Sequence, residues 1–280
     1  MSRDAEALAE ALGSRYSLVR EIARGGMATV YLAEDHSRQS RVAVKLMDRR
    51  LASALGTARF RREIEVVRSM AHPLIVPLYD AGSADGLLYY VMPYVEGETI
   101  HDRLQRTGRL PVGEALQIAR DVATALAYAH RRGVLHRDIK PENVLLEPGR
   151  ALVADFGLAR VIGAADSQKL TETGALIGTA FYLSPEQLRE EPDLDARADV
   201  YSLGCVLYEM VTGEPPYVAP SLQDLVTRIL RAPIPSARRL NPQVSPALDR
   251  MLARTLAKAR AERLGSMEDF GAALSASLND

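Results

Sequence analysis

The chain has 280 residues, 47% hydrophobic and 25% charged, with a formal net charge of -1 at pH 7. That length accommodates one large domain or two lobes sharing an interface, and the cancelling charges argue against a nucleic-acid partner or a polybasic membrane binder. The single cysteine, Cys205, excludes an internal disulfide and any Cys-based zinc site; in the apolar run Val200 to Leu207 it reads as a small buried hydrophobe, and a fold without covalent staples suits a reducing cytosol.

No apolar run approaches the roughly 18 residues of a membrane-spanning helix, and Met1 to Gly13 is too charged for a signal peptide. Residues 3–12 are predicted as a leader helix. From Tyr16 to about Met47, short β-type runs (Ser17-Leu18-Val19, Val30-Tyr31-Leu32, Val42-Ala43-Val44) alternate with turn-rich segments, which predicts an antiparallel meander. A helix over 57–70 follows, with Phe60, Ile64, Val67 and Met70 as its buried stripe. Two further strands are expected at Val76–Tyr79 and Leu88–Met92, and Pro93 to Gly97 reads as a linker.

Beyond Gly97 the pattern is mostly helical. The longest helix is expected over 112–132, with Leu116, Ala119, Val122, Leu126 and Ala129 on one face and Gly133 at its C-terminal end. Others are expected near 196–212, 221–231, 245–257 and 267–277, the last capped by Ser266. The division is therefore a leader helix at 1–15, a strand-rich lobe at 16–92, a hinge at 93–97 and a helical lobe at 98–280. The class is α+β, and a cleft between lobes is the expected place for chemistry.

Several stretches carry specific side chains. Ile22-Ala23-Arg24-Gly25-Gly26-Met27-Ala28-Thr29-Val30 places glycines between two strands, where backbone N–H groups can approach phosphate. Val42-Ala43-Val44-Lys45 ends an apolar strand on a lysine, and Glu63 precedes Ile64 on the following helix as a candidate partner. His136-Arg137-Asp138-Ile139-Lys140-Pro141-Glu142-Asn143 precedes an apolar hairpin that ends at Asp155-Phe156-Gly157. A carboxylate at Asp155 offers the hard oxygen that Mg²⁺ prefers. Ser184-Pro185-Glu186 comes later, and Asp199 adjoins so apolar a run that its carboxylate needs donors.

From Tyr16 to about Leu274 these motifs resemble those of the bacterial Hanks-type, or eukaryotic-like, Ser/Thr protein kinases; Gly178 to Glu186 is especially similar to that group. The resemblance implies a bilobal fold with an antiparallel sheet and one helix in the N-lobe and a helical C-lobe. It implies transfer of the γ-phosphoryl group of ATP to protein Ser or Thr hydroxyls, with Mg²⁺ or Mn²⁺. In that pattern Asp138 accepts the hydroxyl proton, Lys140 steadies the phosphoryl group and marks Ser/Thr specificity, and Lys45 holds the α/β-phosphates while Glu63 holds Lys45. Asn143 and Asp155 hold metal. Ile22, Ala23, Gly25, Gly26, Val30, Ala43, Met92, Pro93, Val95 and Leu145 surround the nucleotide, with Met92 as gatekeeper and Val95 N–H as donor to the purine.

The same resemblance implies that a phosphorylated Thr171 or Thr173 docks on Arg137, that Thr179 touches Asp138, that Glu186 pairs with Arg263, that Asp199 supports the catalytic loop, and that Phe156 packs under the first helix of the strand-rich lobe. The partners implied are ATP, protein substrates, and a second copy of the kinase for trans-autophosphorylation. The location implied is cytoplasmic, either as a free chain or as the cytosolic domain of a longer membrane receptor. Ala23 and Ala28 stand where the family has glycines. A pseudokinase and a small-molecule phosphotransferase remain as other readings. Lys45, Glu63, Asp138, Asn143 and Asp155 weigh against the first, and Lys140 with Ser184-Pro185-Glu186 against the second.

Overall fold

A computed structural model describes residues 2–25, 28–49, 52, 57–156 and 180–277 of the protein, without the side chains of 57–59. Gly26, Thr171, Thr173 and Thr179 lie outside the described residues. The chain divides into two compact units. One is built on the residues up to Ala71 together with Ile75–Glu96, the other on His72–Leu74, Gly97–Phe156 and the C-terminal part of the chain.

In the first unit, α1 (Arg3–Leu12) starts where Ser2 accepts the Ala5 N–H. Its stripe of Ala5, Leu8 and Leu12 is buried. Among the described residues the unit carries a five-stranded antiparallel sheet in the order β1-β2-β3-β5-β4, formed by β1 (Tyr16–Arg24), β2 (Ala28–Asp35), β3 (Ser40–Met47), β4 (Asp80–Ala84) and β5 (Leu87–Pro93). The two-residue period of β3 decides what each sheet face meets. Val42, Val44 and Leu46 form one cluster with the α1 stripe, Tyr31, Ala33, Leu87 and Val91. Met47, on the other face, joins Leu88, Tyr90, Phe60 and Ile64, the last two from α2 (Thr57–Arg68). The leader helix and α2 thus cover opposite faces of one sheet.

The strand expected at 76–79 is displaced. Those residues are irregular, and the strand that pairs with β5 begins at Asp80. Pro77 has no N–H to give a ladder, whereas Asp80 to Ala84, poor in β-formers, is held in place by its β5 partner.

In the second unit, β6 (Glu98–Thr99), β7 (Val144–Glu147) and β8 (Arg150–Val153) form a small antiparallel sheet. The helices are α3 (Ile100–Thr107), α4 (Val112–His130), α5 (Pro185–Leu188), α6 (Arg197–Thr212), α7 (Leu222–Arg231), α8 (Ala237–Leu240), α9 (Pro246–Thr255) and α10 (Met267–Ala276). Helix α6 is buried on nearly every side from Ala198 to Val211, as expected of a helix that is apolar all round. Among these elements, α3, α5, α8 and β6 were not foreseen. A local signal for α3 exists: Thr99 and Asp102 form a reciprocal capping box.

Candidate active site

The loop between α4 and β7 is organised around buried Asp199, near the start of α6. Its carboxylate accepts the N–H of His136 at 2.8 Å and that of Arg137 at 2.7 Å, and meets His130 Nε2 at 2.7 Å. Burial alone would raise the Asp199 pKa; the His130 hydrogen bond and the charges and donors around it win and hold it below the ordinary carboxylate value.

Those bonds fix an unfavourable backbone. Arg137 has φ 68°, a left-handed conformation that side chains other than glycine resist. The next N–H, of Asp138, donates to His136 Nδ1 at 3.3 Å, which leaves Nε2 as the protonated nitrogen that donates to the Ala154 carbonyl at 2.8 Å. His136 is fully buried and stacks edge-on with Phe156, ring centroids 4.7 Å apart. The loop and the end of the β7–β8 hairpin are therefore fastened through one imidazole. Asp155, which follows Ala154, is also left-handed, at φ 64°.

The Asp138 carboxylate is held on one oxygen. Its Oδ2 meets Lys140 Nζ at 2.9 Å and Asn143 Nδ2 at 3.0 Å. The same Asn143 nitrogen donates to the Asp138 carbonyl at 2.8 Å. Both acceptors need the amide nitrogen, so the Asn143 carbonyl oxygen is the atom left for a cation. A single 3-10 turn, Pro141–Asn143, carries Asn143 into β7.

Further along, Ser184 caps α5, and Glu186 enters a buried bidentate pair with Arg263 at 2.6 and 2.7 Å. Tyr182 donates to Glu209 at 2.6 Å while its carbonyl accepts from Ser202 Oγ at 2.8 Å. Burial raises the Glu209 pKa.

In the first unit, cross-strand register gathers other predicted residues. Val30 lies opposite Lys45, and Lys45 opposite Tyr90. Ala43 lies opposite Met92. Paired residues share a face, so Val30, Ala43, Lys45 and Met92 line the face on which α2 packs. Glu63, half-buried, precedes the Ile64 that enters that layer. Ala23 pairs with Val30 inside the β1–β2 ladder and is exposed, so its methyl group meets no obstruction there. Ile22 falls at an irregularity of that ladder, and Gly25 N–H donates to the Ala28 carbonyl at 2.9 Å. Pro93 ends β5 and lies opposite Val42, and Val95 is half-buried beyond it. In the second unit, Leu145 sits in β7 opposite Thr99.

A model of the protein kinase domain matches residues 16–272. The chain belongs to the protein kinase domain family. Among curated members of the family it is 44% identical over 254 residues to the serine/threonine-protein kinase PknB of Mycobacterium leprae, covering 88% of this chain and 40% of that protein. It is 38% identical over 263 residues to the serine/threonine-protein kinase PrkC of Bacillus subtilis, covering 93% and 40%. The chain thus spans about 40% of the length of these curated relatives. Among solved structures, a crystal structure of Rad53 residues 1–466 in complex with AMP-PNP superposes with a TM-score of 0.76 at 26% identity, covering 92% of this chain and 64% of that one. The bacterial Hanks-type resemblance and the kinase fold follow from these matches.

Family motifs named Asp199, Glu186 and Arg263. They did not name His130, which bonds Asp199, Gln187, which bonds the Arg137 carbonyl, or Glu209, which accepts from Tyr182. The end of a helix (His130) and the middle of one (Glu209) carry no local motif, so only tertiary geometry exposes them.

Proposed function

We propose that the protein transfers the γ-phosphoryl group of ATP to Ser or Thr hydroxyls of other proteins. The observation that carries this reading is the Asp138 carboxylate, held by Lys140 and Asn143 on a loop whose backbone is clamped by Asp199. Phosphoryl transfer is mostly positioning and charge neutralisation, and such a loop supplies a fixed carboxylate to orient a hydroxyl and accept its proton. Lys140 steadies the phosphoryl oxygens and selects Ser/Thr. Lys45 binds the α/β-phosphates and Glu63 holds Lys45. Ile22, Ala23, Gly25, Gly26, Val30, Ala43, Met92, Pro93, Val95 and Leu145 receive the nucleotide.

The Asn143 carbonyl oxygen and the Asp155 carboxylate suit a hard divalent cation, Mg²⁺ or Mn²⁺, and would hold it. Bound there, it would neutralise phosphate charge. Arg137 is the docking residue for phosphate on Thr171 or Thr173, placed there by a second copy of the kinase. The setting we propose is the cytoplasm, either as a free chain or as the cytosolic domain of a longer membrane receptor; among the described residues no helix is long and apolar enough to cross a membrane.

Transfer of ³²P from labelled ATP to a generic basic protein tests the reaction. Incorporation is expected with the intact chain and is expected to fall by about 10²–10⁴-fold in Asp138→Asn; ATP binding without transfer in the intact chain would sink the proposal. Mass spectrometry of both proteins after expression tests the self-modification, and equal phosphate on Thr171 and Thr173 in the two would refute it.

A further inference from the structure

Gln187, the last residue of the Ser184-Pro185-Glu186-Gln187 run, makes two different kinds of bond. Locally it closes the capping box of α5: its Oε1 accepts the Ser184 N–H at 3.0 Å, and its N–H donates to Ser184 Oγ at 3.4 Å. At long range its Nε2 donates to the carbonyl oxygen of Arg137 at 2.8 Å. That carbonyl belongs to the peptide unit whose N–H is Asp138's own.

The bond falls where the backbone needs it. Arg137 sits at φ 68°, a left-handed conformation that a residue with a side chain keeps only when the surroundings over-determine it. Asp199 holds the Arg137 N–H at 2.7 Å. The following peptide is held at its N–H by His136 Nδ1 and at its C=O by Gln187. Losing Gln187 removes the 2.8 Å bond on the carbonyl side of the peptide preceding Asp138, the shorter of the two bonds described on that peptide.

We infer that Gln187 is a positioning residue for the transfer reaction: it ties α5 to the peptide immediately before Asp138, and so sets the direction of the Asp138 carboxylate. This rests on the reading of Asp138 as the group that orients the acceptor hydroxyl. A small misplacement of a catalytic group can cost up to about 10²-fold in rate, so one hydrogen bond here has leverage.

Gln187→Glu separates the two bonds. Glutamate is a standard capping-box residue and keeps the acceptor for Ser184 N–H, but it replaces the Nε2 donor with an oxygen facing the Arg137 carbonyl. Gln187→Met removes donor and acceptor without adding charge, and serves if the glutamate chain does not fold. The measurements are kcat, KM for ATP, thermal midpoint, and amide hydrogen exchange across 136–138.

For Gln187→Glu the expected result is a fall in kcat of about tenfold or more, KM for ATP within about twofold of the parent, an unchanged thermal midpoint and faster exchange at the Asp138 amide. Gln187→Met is expected to share the kcat and exchange changes. Parental kcat in Gln187→Glu overturns the inference, as does a loss confined to Gln187→Met, since that loss would belong to the cap. If the parent chain transfers no phosphate, the functional reading fails on its own. The exchange comparison then decides the tie, and unchanged exchange in both variants overturns it.

Discussion

Arg263 and Glu186, 77 positions apart, form a bidentate pair at 2.6 and 2.7 Å with both side chains shielded from solvent. The remaining guanidinium hydrogens go to the carbonyls of Ala257, Arg197 and Lys258. Five donors thus find five acceptors. Burying a charge is costly unless it is paired and fully hydrogen-bonded, and here the pair stitches α5 to the start of α6 and to the segment before α10.

Arg263→Met leaves the Glu186 carboxylate buried without its partner, so a loss of about 3–5 kcal/mol is expected, read as a lower urea midpoint. Adding Glu186→Met removes the stranded charge, and the double variant should recover much of the loss. Arg263→Lys should not substitute, because an ammonium has three donors and no planar fork. A single variant as stable as the parent would contradict this account.

Asp199 gives a second expectation. An asparagine there keeps one carbonyl oxygen and turns an NH₂ toward the donors of His136, Arg137 or His130. Leaving a buried donor unsatisfied costs about 1–3 kcal/mol. Asp199→Asn should therefore lower stability by that amount and reduce kcat more than KM for ATP, since the loop it clamps carries Asp138. Its acid profile should also change. The Asp199 pKa is held below the ordinary 3.8, so its contribution is complete above that value and is lost as pH falls through the lower folded value. The stability gap between parent and variant should narrow only on acidification below about pH 4.

Much of this was readable in advance because the informative residues sit in contiguous runs. The short β-type run Val42-Ala43-Val44 and the helical spacing of Phe60, Ile64 and Val67 located β3 and α2, and the run at 136–143 located the loop before β7. The strand expected at 76–79 was misplaced because its apolar side chains suggested a ladder that Pro77 prevents, while the true β4 is stabilised by its neighbour rather than by its own composition. His130, Glu209 and Gln187 were missed for a related reason: their roles come from side chains meeting across the fold, and no periodicity or local motif records such a meeting.

Gly97 is a close-approach glycine. A Cβ built there would lie 2.1 Å from the Leu146 carbonyl oxygen, so a methyl group cannot be added without moving backbone. The neighbouring pairs are Glu98 with Leu146 and Thr99 with Leu145, so the displacement falls on β6 and β7. Gly97→Ala should cost about 1–3 kcal/mol as an overpacking change. Because Leu145 is placed against the nucleotide in the proposed reaction, KM for ATP should rise several-fold. A thermal scan and an ATP titration check both, and an unaltered KM beside a lowered midpoint would remove Leu145 from the nucleotide site.

Lys258 should make stability rise with pH on the alkaline side of neutrality. Its ammonium donates to the Tyr217 hydroxyl and the Ile229 carbonyl, both at 2.6 Å, and lies 3.9 Å from the centre of the Tyr217 ring. Burial, aided by the Arg263 charge, pulls its pKa from the ordinary 10.5 down to about 8. Between those values the unfolded chain binds more protons than the folded one, so unfolding becomes less favourable as pH rises. The group is partly exposed, so water screens the effect and the slope is shallow. Tyrosines act in the opposite sense higher up: burial pushes Tyr16 and Tyr208 from 10.0 to about 12, and their contribution declines as pH climbs through that range. The window for Lys258 is therefore pH 8 to 10. Across it, the melting temperature of the parent minus that of Lys258→Met should increase, since methionine keeps the stem and cannot titrate. A difference that stays flat, or falls, would mean that Lys258 remains charged in the folded protein at pH 10.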